Sequence, residues 1–351
     1  MLKRYKIGLS LCVIPLFLVL IASSPLNAQH KHDGSDFDVF QKQLKNDYFS
    51  VGALLQTRLD YQPERAVGNN GFSIGNARLQ VYGQFDGGFG YQLQTNFTRQ
   101  SAILDANAYY HFSDQFQIKA GLFKSPFSYE FLTGAPNLDF IGRSGVVNQL
   151  APNRQVGVQV SGTSEDGILR YQLGAFNGNG FDPNQNTDEN LLYVGRLEAG
   201  FETGEQASDD RIIFGLNASR EIKEQPNSTG NIQSIFQGNQ TLLGSDVRII
   251  QGDLMLSGEL IYSWLDSAVT DESYNPYGYH ATIGYDVTSK TQLLARLDHF
   301  EGDNLVSNSE SIVAGANIYP TSFSKIQVNY RIPTQESLDY SQVLVNFQIA
   351  I

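Results

Sequence analysis

The sequence predicts an all-β fold, a transmembrane antiparallel β-barrel of about sixteen strands. Three observations predict it. Apolar and polar residues alternate with a period of two through most of the chain. The connections between the alternating segments switch between tight and long. The one extended apolar run stands at the N-terminus, in the form of an export leader.

The leader comes first. Lys3, Arg4 and Lys6 give a positive start, and residues 7–21 are apolar except for Gly8, Ser10 and Pro15. Small and polar residues follow to Ala28, so residues 1–28 read as a signal peptide. The run is too short and too interrupted for a retained membrane helix. Cys12, the sole cysteine, lies inside it, and cleavage leaves a chain with no thiol, as suits passage through an oxidising compartment. Residues 29–47 are polar and read as a lead-in, which leaves 48–351 for the barrel.

With 33 Gly, 18 Tyr and 22 Phe but only 17% charged residues, the composition suits a membrane barrel, and it suits a soluble sandwich or propeller equally. The net charge is −12; the leader holds three cations and no acid, so the remainder carries −15, which argues against nucleic acid as a partner.

The alternation decides more. Leu254, Leu256, Gly258, Leu260, Tyr262 and Trp264 fall on one face of a strand, and Met255, Ser257, Glu259, Ile261 and Ser263 on the other. The chain end repeats the pattern with Val343, Val345, Phe347 and Ile349 opposite Leu344, Asn346 and Gln348. Such segments are predicted at 48–61, 72–86, 89–99, 103–112, 115–124, 154–163, 168–176, 190–202, 210–221, 241–251, 253–265, 276–288, 291–301, 310–319, 322–332 and 338–351. Most reach the roughly ten residues a tilted strand needs to cross a bilayer.

The links after even segments are tight, as at Gly87-Gly88, Ser113-Asp114, Gly252 and Ser289-Lys290. Those after odd segments are mostly longer, as at 62–71, 125–153, 177–189 and 222–240. Short turns on one rim and long loops on the other are the pattern of a membrane barrel, and a soluble sandwich has no reason to sort loops by parity. The even count puts both termini on the short-turn rim. Phe49 and Tyr61, Phe85 and Tyr91, Tyr110 and Phe112, and Tyr319 and Phe323 stand near segment ends, where aromatic girdles form. Cross-strand packing in a soluble sheet gives the same spacing, so the leader and the loop parity carry the decision.

Lipid offers no hydrogen bonds, so the polar face of each strand is expected to line a lumen. That makes Arg58, Arg78, Lys119, Arg170, Arg196, Arg248, Arg296 and Lys325 pore-lining candidates, with Asp60, Asp105, Glu198, Asp246, Glu259, Asp286 and Asp298 among them. Arg58 with Asp60, Arg196 with Glu198 and Arg296 with Asp298 are neighbours on one face, and ion pairs that stiffen the wall are the plainer reading of most of these charges. The segment 125–153 is too long for a turn and holds Phe127, Phe131, Leu132, Phe140 and Ile141, which need burial against the inside of the wall. Arg143 and Arg154 then face the open part of the pore. Asp182, Asn184, Asn186 and Asp188 alternate like the start of a calcium loop, but Thr187 replaces its glycine and Tyr193 its closing Glu, so a solvated polar loop is the better reading. The histidines show no metal spacing, and no phosphate loop or nucleophile elbow is present, so no metal, cofactor or enzymatic activity is expected.

The stretch 72–180 resembles the phosphate-selective porin O and P family. The resemblance is carried by Asn76-Ala77-Arg78-Leu79, Ala102-Ile103-Leu104-Asp105-Ala106, Gly121-Leu122-Phe123-Lys124-Ser125-Pro126-Phe127-Ser128, Pro152-Asn153-Arg154-Gln155-Val156-Gly157 and Gly174-Ala175-Phe176-Asn177-Gly178. It implies an outer-membrane, homotrimeric, sixteen-stranded barrel whose third loop folds inward to narrow the pore. It also implies anions guided by arginines and bound by a lysine near the constriction, which places Arg78 and Lys124 there. Gly75 and Asn76 stand where the family commonly has a basic pair, a departure that bears on phosphate selectivity.

The expected function is passive diffusion of small anions or other small hydrophilic solutes through a water-filled pore in the outer membrane of a Gram-negative bacterium. The alternative is an adhesion or structural module with a plugged lumen, in contact with outer-membrane lipid in either case. A barrel enzyme would need a convergent catalytic group on one rim, and none is legible.

Overall fold

The computed structural model describes residues 48–351, apart from 66, 86, 100, 183–185, 203–209 and 228–229. The expected signal peptide and the lead-in lie outside the described residues. Alternating sequence becomes strand throughout: β1 (Ser50–Tyr61), β2 (Gly71–Gln84), β3 (Phe89–Asn96), β4 (Ile103–Ser113), β5 (Phe116–Lys124), β6 (Arg154–Thr163), β7 (Leu169–Phe176), β8 (Leu192–Glu202) and β9 (Arg211–Lys223). Then follow β10 (Gly238–Gln251), β11 (Leu254–Ser267), β12 (Ser273–Tyr274), β13 (Tyr277–Thr288), β14 (Thr291–Glu301), β15 (Ser309–Thr321), β16 (Ser324–Pro333) and β17 (Gln342–Ala350).

Each strand pairs antiparallel with the next, β11 pairs directly with β13, and β1 pairs with both β2 and β17, so the sheet closes on itself. The two-residue β12 only extends a loop against the end of β11, at Leu265 and Asp266. The ring therefore has the sixteen long strands the alternation predicts. Closure leaves no edge with unpaired backbone groups, which a lipid environment requires.

Most boundaries fall within a few residues of those predicted. β3 stops short, at Asn96, because the Asn96 side chain turns the chain: its Oδ1 accepts from Thr98 N at 3.3 Å and Thr98 Oγ1 at 2.9 Å. The last strand starts late because Leu338–Tyr340 form a short 3-10 turn, capped by Ser337. In the turn between β2 and β3, Gly87 and Gly88 sit at φ 86° and 89°, the left-handed region that a glycine adopts without steric cost.

The faces are sorted in the reverse of a soluble protein. On β11, Leu254, Leu256, Leu260 and Trp264 are exposed, while Glu259 and Ser263 are buried. On β17, Phe347 and Ile349 are exposed, while Asn346 and Gln348 are buried. Apolar side chains face out and polar ones face in, the sorting that a barrel in lipid requires. The inner face also carries apolar residues, among them Phe176, Leu192, Ile261, Leu265 and Phe300, and these pack with loop residues in one cluster. The connection 125–153 supplies Phe127, Val146, Val147 and Leu150 to it, and the connection 224–237 supplies Ile232 and Phe236. Burying each such side chain contributes about 1.5–3 kcal/mol. The cluster fixes these loops on the inner side of the wall.

The candidate pore constriction

The connection 125–153 holds two short helices, α1 (Tyr129–Leu132) and α2 (Gly145–Leu150). Ser125 closes its base, with Oγ donating to Pro152 O at 2.6 Å and Asn153 O at 3.0 Å. Ser128, at φ 69°, caps α1, its Oγ accepting from Phe131 N at 3.0 Å. From there the segment bonds to strands all round the ring. Ser128 N donates to Asn217 on β9 at 3.1 Å, and Asp139 accepts from both terminal nitrogens of Arg248 on β10 at 2.8 and 3.2 Å. Ile141 N donates to Asn329 on β16 at 2.8 Å, Lys325 Nζ donates to Leu138 O at 2.9 Å, and Gln348 on β17 donates to Pro136 O at 3.1 Å. Backbone groups that a strand would have paired are satisfied by lumen-facing side chains instead.

The near end is held by two cations. Lys124 Nζ, at the end of β5, donates to the carbonyls of Phe131, Leu132 and Thr133 at 2.6, 2.9 and 3.0 Å. Arg143 donates to Glu130 O at 2.9 Å and to Thr133 O at 2.7 Å. These are the unpaired carbonyls at the C-terminus of α1 and the residues around it, where positive charge is favoured.

Between residues 132–137 of this loop and the wall from β1 to β7 lies a cavity of about 440 Å³. Among the described residues the charged side chains lining it are Arg78, Lys119, Lys124 and Arg154 against Asp105. Asp105 and Arg154 form a two-pronged ion pair at 3.0 and 3.1 Å, both buried. Arg78 is held by Asn76 Oδ1 at 2.9 and 2.7 Å, and Lys119 Nζ lies 5.3 Å from the ring centre of Phe123. The loop residues facing them, Leu132, Gly134, Ala135, Pro136 and Asn137, have no charged side chain. The acids of the loop are committed elsewhere: Glu130 to Arg296 at 3.1 Å and Asp139 to Arg248.

Of the residues singled out in the sequence, Arg78, Asp105, Lys119, Lys124 and Arg154 meet at this cavity, and Arg143 joins them through Thr133 O. Three placements differ from expectation. Arg58 makes no pair with Asp60: it reaches Ile141 O at 3.4 Å, and Asp60 pairs with Arg65. Gly75 makes this possible, since a Cβ there would stand 2.8 Å from Arg58 Cδ. Arg154 is clamped by Asp105 rather than open to the pore. Lys124 lines the cavity, but all three of its protons go to carbonyls, which leaves none for an anion. The pairs Arg196–Glu198, at 3.0 Å, and Arg296–Asp298, at 3.4 Å, do form. Of the calcium-like run, Asn184 lies outside the described residues, and Asp188 accepts from Glu224 N at 2.9 Å. Glu130, Ser144 and Asp139 carry weight that no sequence pattern announced.

The family model of the phosphate-selective porins O and P matches residues 55–337. The chain belongs to that family. It is an outer-membrane porin, a barrel that small hydrophilic solutes cross by passive diffusion. Solved porins share the fold at low identity. The anion-selective porin of Comamonas acidovorans superposes with a TM-score of 0.62 at 13% identity, over 86% of this chain and 99% of that one. The trimer form of OmpT from Vibrio cholerae gives 0.59 at 12% identity, over 87% and 100%. OmpF of Salmonella typhi, in complex with daunomycin, gives 0.58 at 13%, over 86% and 97%. No curated protein sequence matches the porin.

Proposed function

We propose that this porin favours anions modestly, phosphate among them, and works as a homotrimer inserted after export behind a cleaved signal peptide. The observation that carries the anion preference is the one-sided constriction. Arg78, Lys119, Lys124 and Arg154 face a loop edge without charge, with Asp105 as their counterweight. In a narrow passage with few waters, a fixed cation acts on a passing anion far more strongly than across bulk water. The acidity of the whole chain does not oppose this, because acids such as Asp182, Asp188, Asp271 and Glu272 sit in loops. Lys124 contributes its charge to the field and not its protons. The trimer is supported by the trimer form of the similar OmpT. Adding inorganic phosphate to chloride solutions tests the ligand: chloride current through the folded porin falls if phosphate dwells at the constriction, and stays constant if it does not.

One observation favours a narrower reading, a barrel partly plugged for an adhesive or structural role. The buried cluster of Phe127, Val147, Leu150, Ile232 and Phe236 packs two loops against inward-facing residues of the strands. Absence of ion current from the folded protein in planar bilayers would select that reading.

A further inference from the structure

We propose that Glu130 is the positioning residue of the constriction, its carboxylate latching the narrowing loop to the far wall of the barrel, and that acid releases this latch. The inference rests on the reading of the barrel as a conducting pore.

Glu130 lies on α1 and Ser144 immediately precedes α2. Glu130 Oε2 accepts from both Ser144 N, at 2.8 Å, and Ser144 Oγ, at 2.7 Å. The lobe 131–143, whose edge forms the constriction, is thereby pinched shut at its base. Glu130 Oε1 accepts from Arg296 on β14 at 3.1 Å, and the same Arg296 nitrogen donates to Gly142 O at 3.3 Å. One carboxylate thus ties both ends of the lobe to one wall arginine.

The other charged groups facing it come from three strands and the loop itself. His280 Nε2 on β13 stands 3.8 Å from Glu130 Oε2 and 3.9 Å from Glu259 Oε2 on β11. Glu259 accepts from Glu130 N at 3.3 Å, Asp298 on β14 accepts from Gly145 N at 3.0 Å, and Arg143 donates to Glu130 O. His280 is buried, and among the described residues the carboxylate oxygens nearest its Nε2 are those of Glu130 and Glu259. It stands between the two carboxylates, within 4 Å of each. Ions so placed depend strongly on one another, because little water screens them.

Burial raises the Glu130 carboxyl, but His280, Arg296 and the two Ser144 hydrogen bonds outweigh it and hold the group below its ordinary range. The sign follows. The latch is complete above the ordinary carboxylate value and is lost as pH falls through the lower folded value. Protonated Glu130 no longer draws Arg296, so the lobe loses its tether to β14, while Lys124 and the bonds of Pro136, Leu138, Asp139 and Ile141 to other strands remain.

The test is single-channel current through the folded full-length porin in planar bilayers. Wild-type current is expected to be quiet throughout the ordinary carboxylate range and several-fold noisier once the pH has fallen below it. Glu130→Gln keeps the shape and removes the charge, so it is expected to be noisy already at neutral pH and to change no further in acid. Ser144→Ala removes one hydrogen bond to the charged form, so its onset of noise is expected at higher pH than in the wild type. Wild-type noise flat into acid, or Glu130→Gln as quiet as the wild type at neutral pH, would overturn the latch while leaving the pore. Should Glu130→Gln fail to fold, an unshifted onset in Ser144→Ala overturns it equally. Absence of current at every pH would overturn the pore reading and the latch with it.

Discussion

Lys124 and Arg143 donate to the same acceptor: the Thr133 carbonyl oxygen is 3.0 Å from Lys124 Nζ and 2.7 Å from Arg143 Nη2. Two like charges converge on one carbonyl because the end of α1 offers three unpaired acceptors there. Lys124 is therefore expected to act on loop position first and on ions through its field. Lys124→Met deletes three charge-assisted bonds, each contributing about 1.5–3 kcal/mol, though the losses overlap. The expected result is a lower denaturant midpoint for the folded porin, together with noisier single-channel current. A variant as stable and quiet as the wild type would remove Lys124 from the anchor.

Arg78 is the contrasting case. Its partner is the wall residue Asn76, and nothing in the loop depends on it. Arg78→Gln is expected to change stability by less than about 0.5 kcal/mol, as for substitutions away from packed features, yet to reduce anion preference. Denaturation curves and reversal potentials on the same preparation check both halves. A large loss of stability would mean that Arg78 supports the wall.

These two cations mark how far the sequence could be read. Period-two patterning made the strands legible, because a barrel in lipid leaves each residue only two environments, as Leu256 and Glu259 show. The family-like pieces brought Arg78, Asp105, Lys124 and Arg154 to one wall, and the alternation added Lys119. What they bond to was not legible. The acceptors of Lys124 are backbone carbonyls, which carry no sequence signal. Glu130 and Ser144 meet across an aperiodic loop. One signal was present and unused: Ile261, Leu265 and Phe300 stand on faces that should be polar, and an apolar residue there requires a covering loop. Arg58 misled because its neighbour on the strand face, Asp60, suggested a pair, whereas the empty space at Gly75 let it turn to Ile141.

The assignment of faces can be checked on β7, where Leu173 is exposed and Gln172 lines the cavity. Leu173→Arg aims a charge at lipid and is expected to cost about 2–4 kcal/mol if the site lies near the bilayer midplane. Gln172→Arg, one residue away, is expected to fold normally and to strengthen anion preference. Folding yield into lipid vesicles separates them, and equal yields would refute the facing of β7.

Arg196 and Asp246 form the most enclosed pair in the wall, with contacts of 2.5 and 2.8 Å and further bonds from Arg196 to Asn217 and Glu198. Gly215 leaves the space, since a Cβ there would come within 2.6 Å of Arg196 Nη1. Asp246→Ala leaves the buried guanidinium with Glu198 as its remaining carboxylate and is expected to cost up to about 3–5 kcal/mol, whereas joint replacement by Met at Arg196 and Leu at Asp246 is expected to cost much less. Denaturant midpoints of the single and joint variants decide it; a joint variant no better than Asp246→Ala would show that the pair itself is strongly net stabilising.

If cations on the wall from β2 to β6, facing an uncharged loop edge, set the selectivity of this acidic protein, the sign of one potential reports it. The measurement that reaches it most directly is the zero-current potential of the folded wild-type porin across a potassium chloride gradient at moderate salt. The expected potential has the sign given by chloride permeating faster than potassium. A potential of the opposite sign, with potassium favoured, would contradict it.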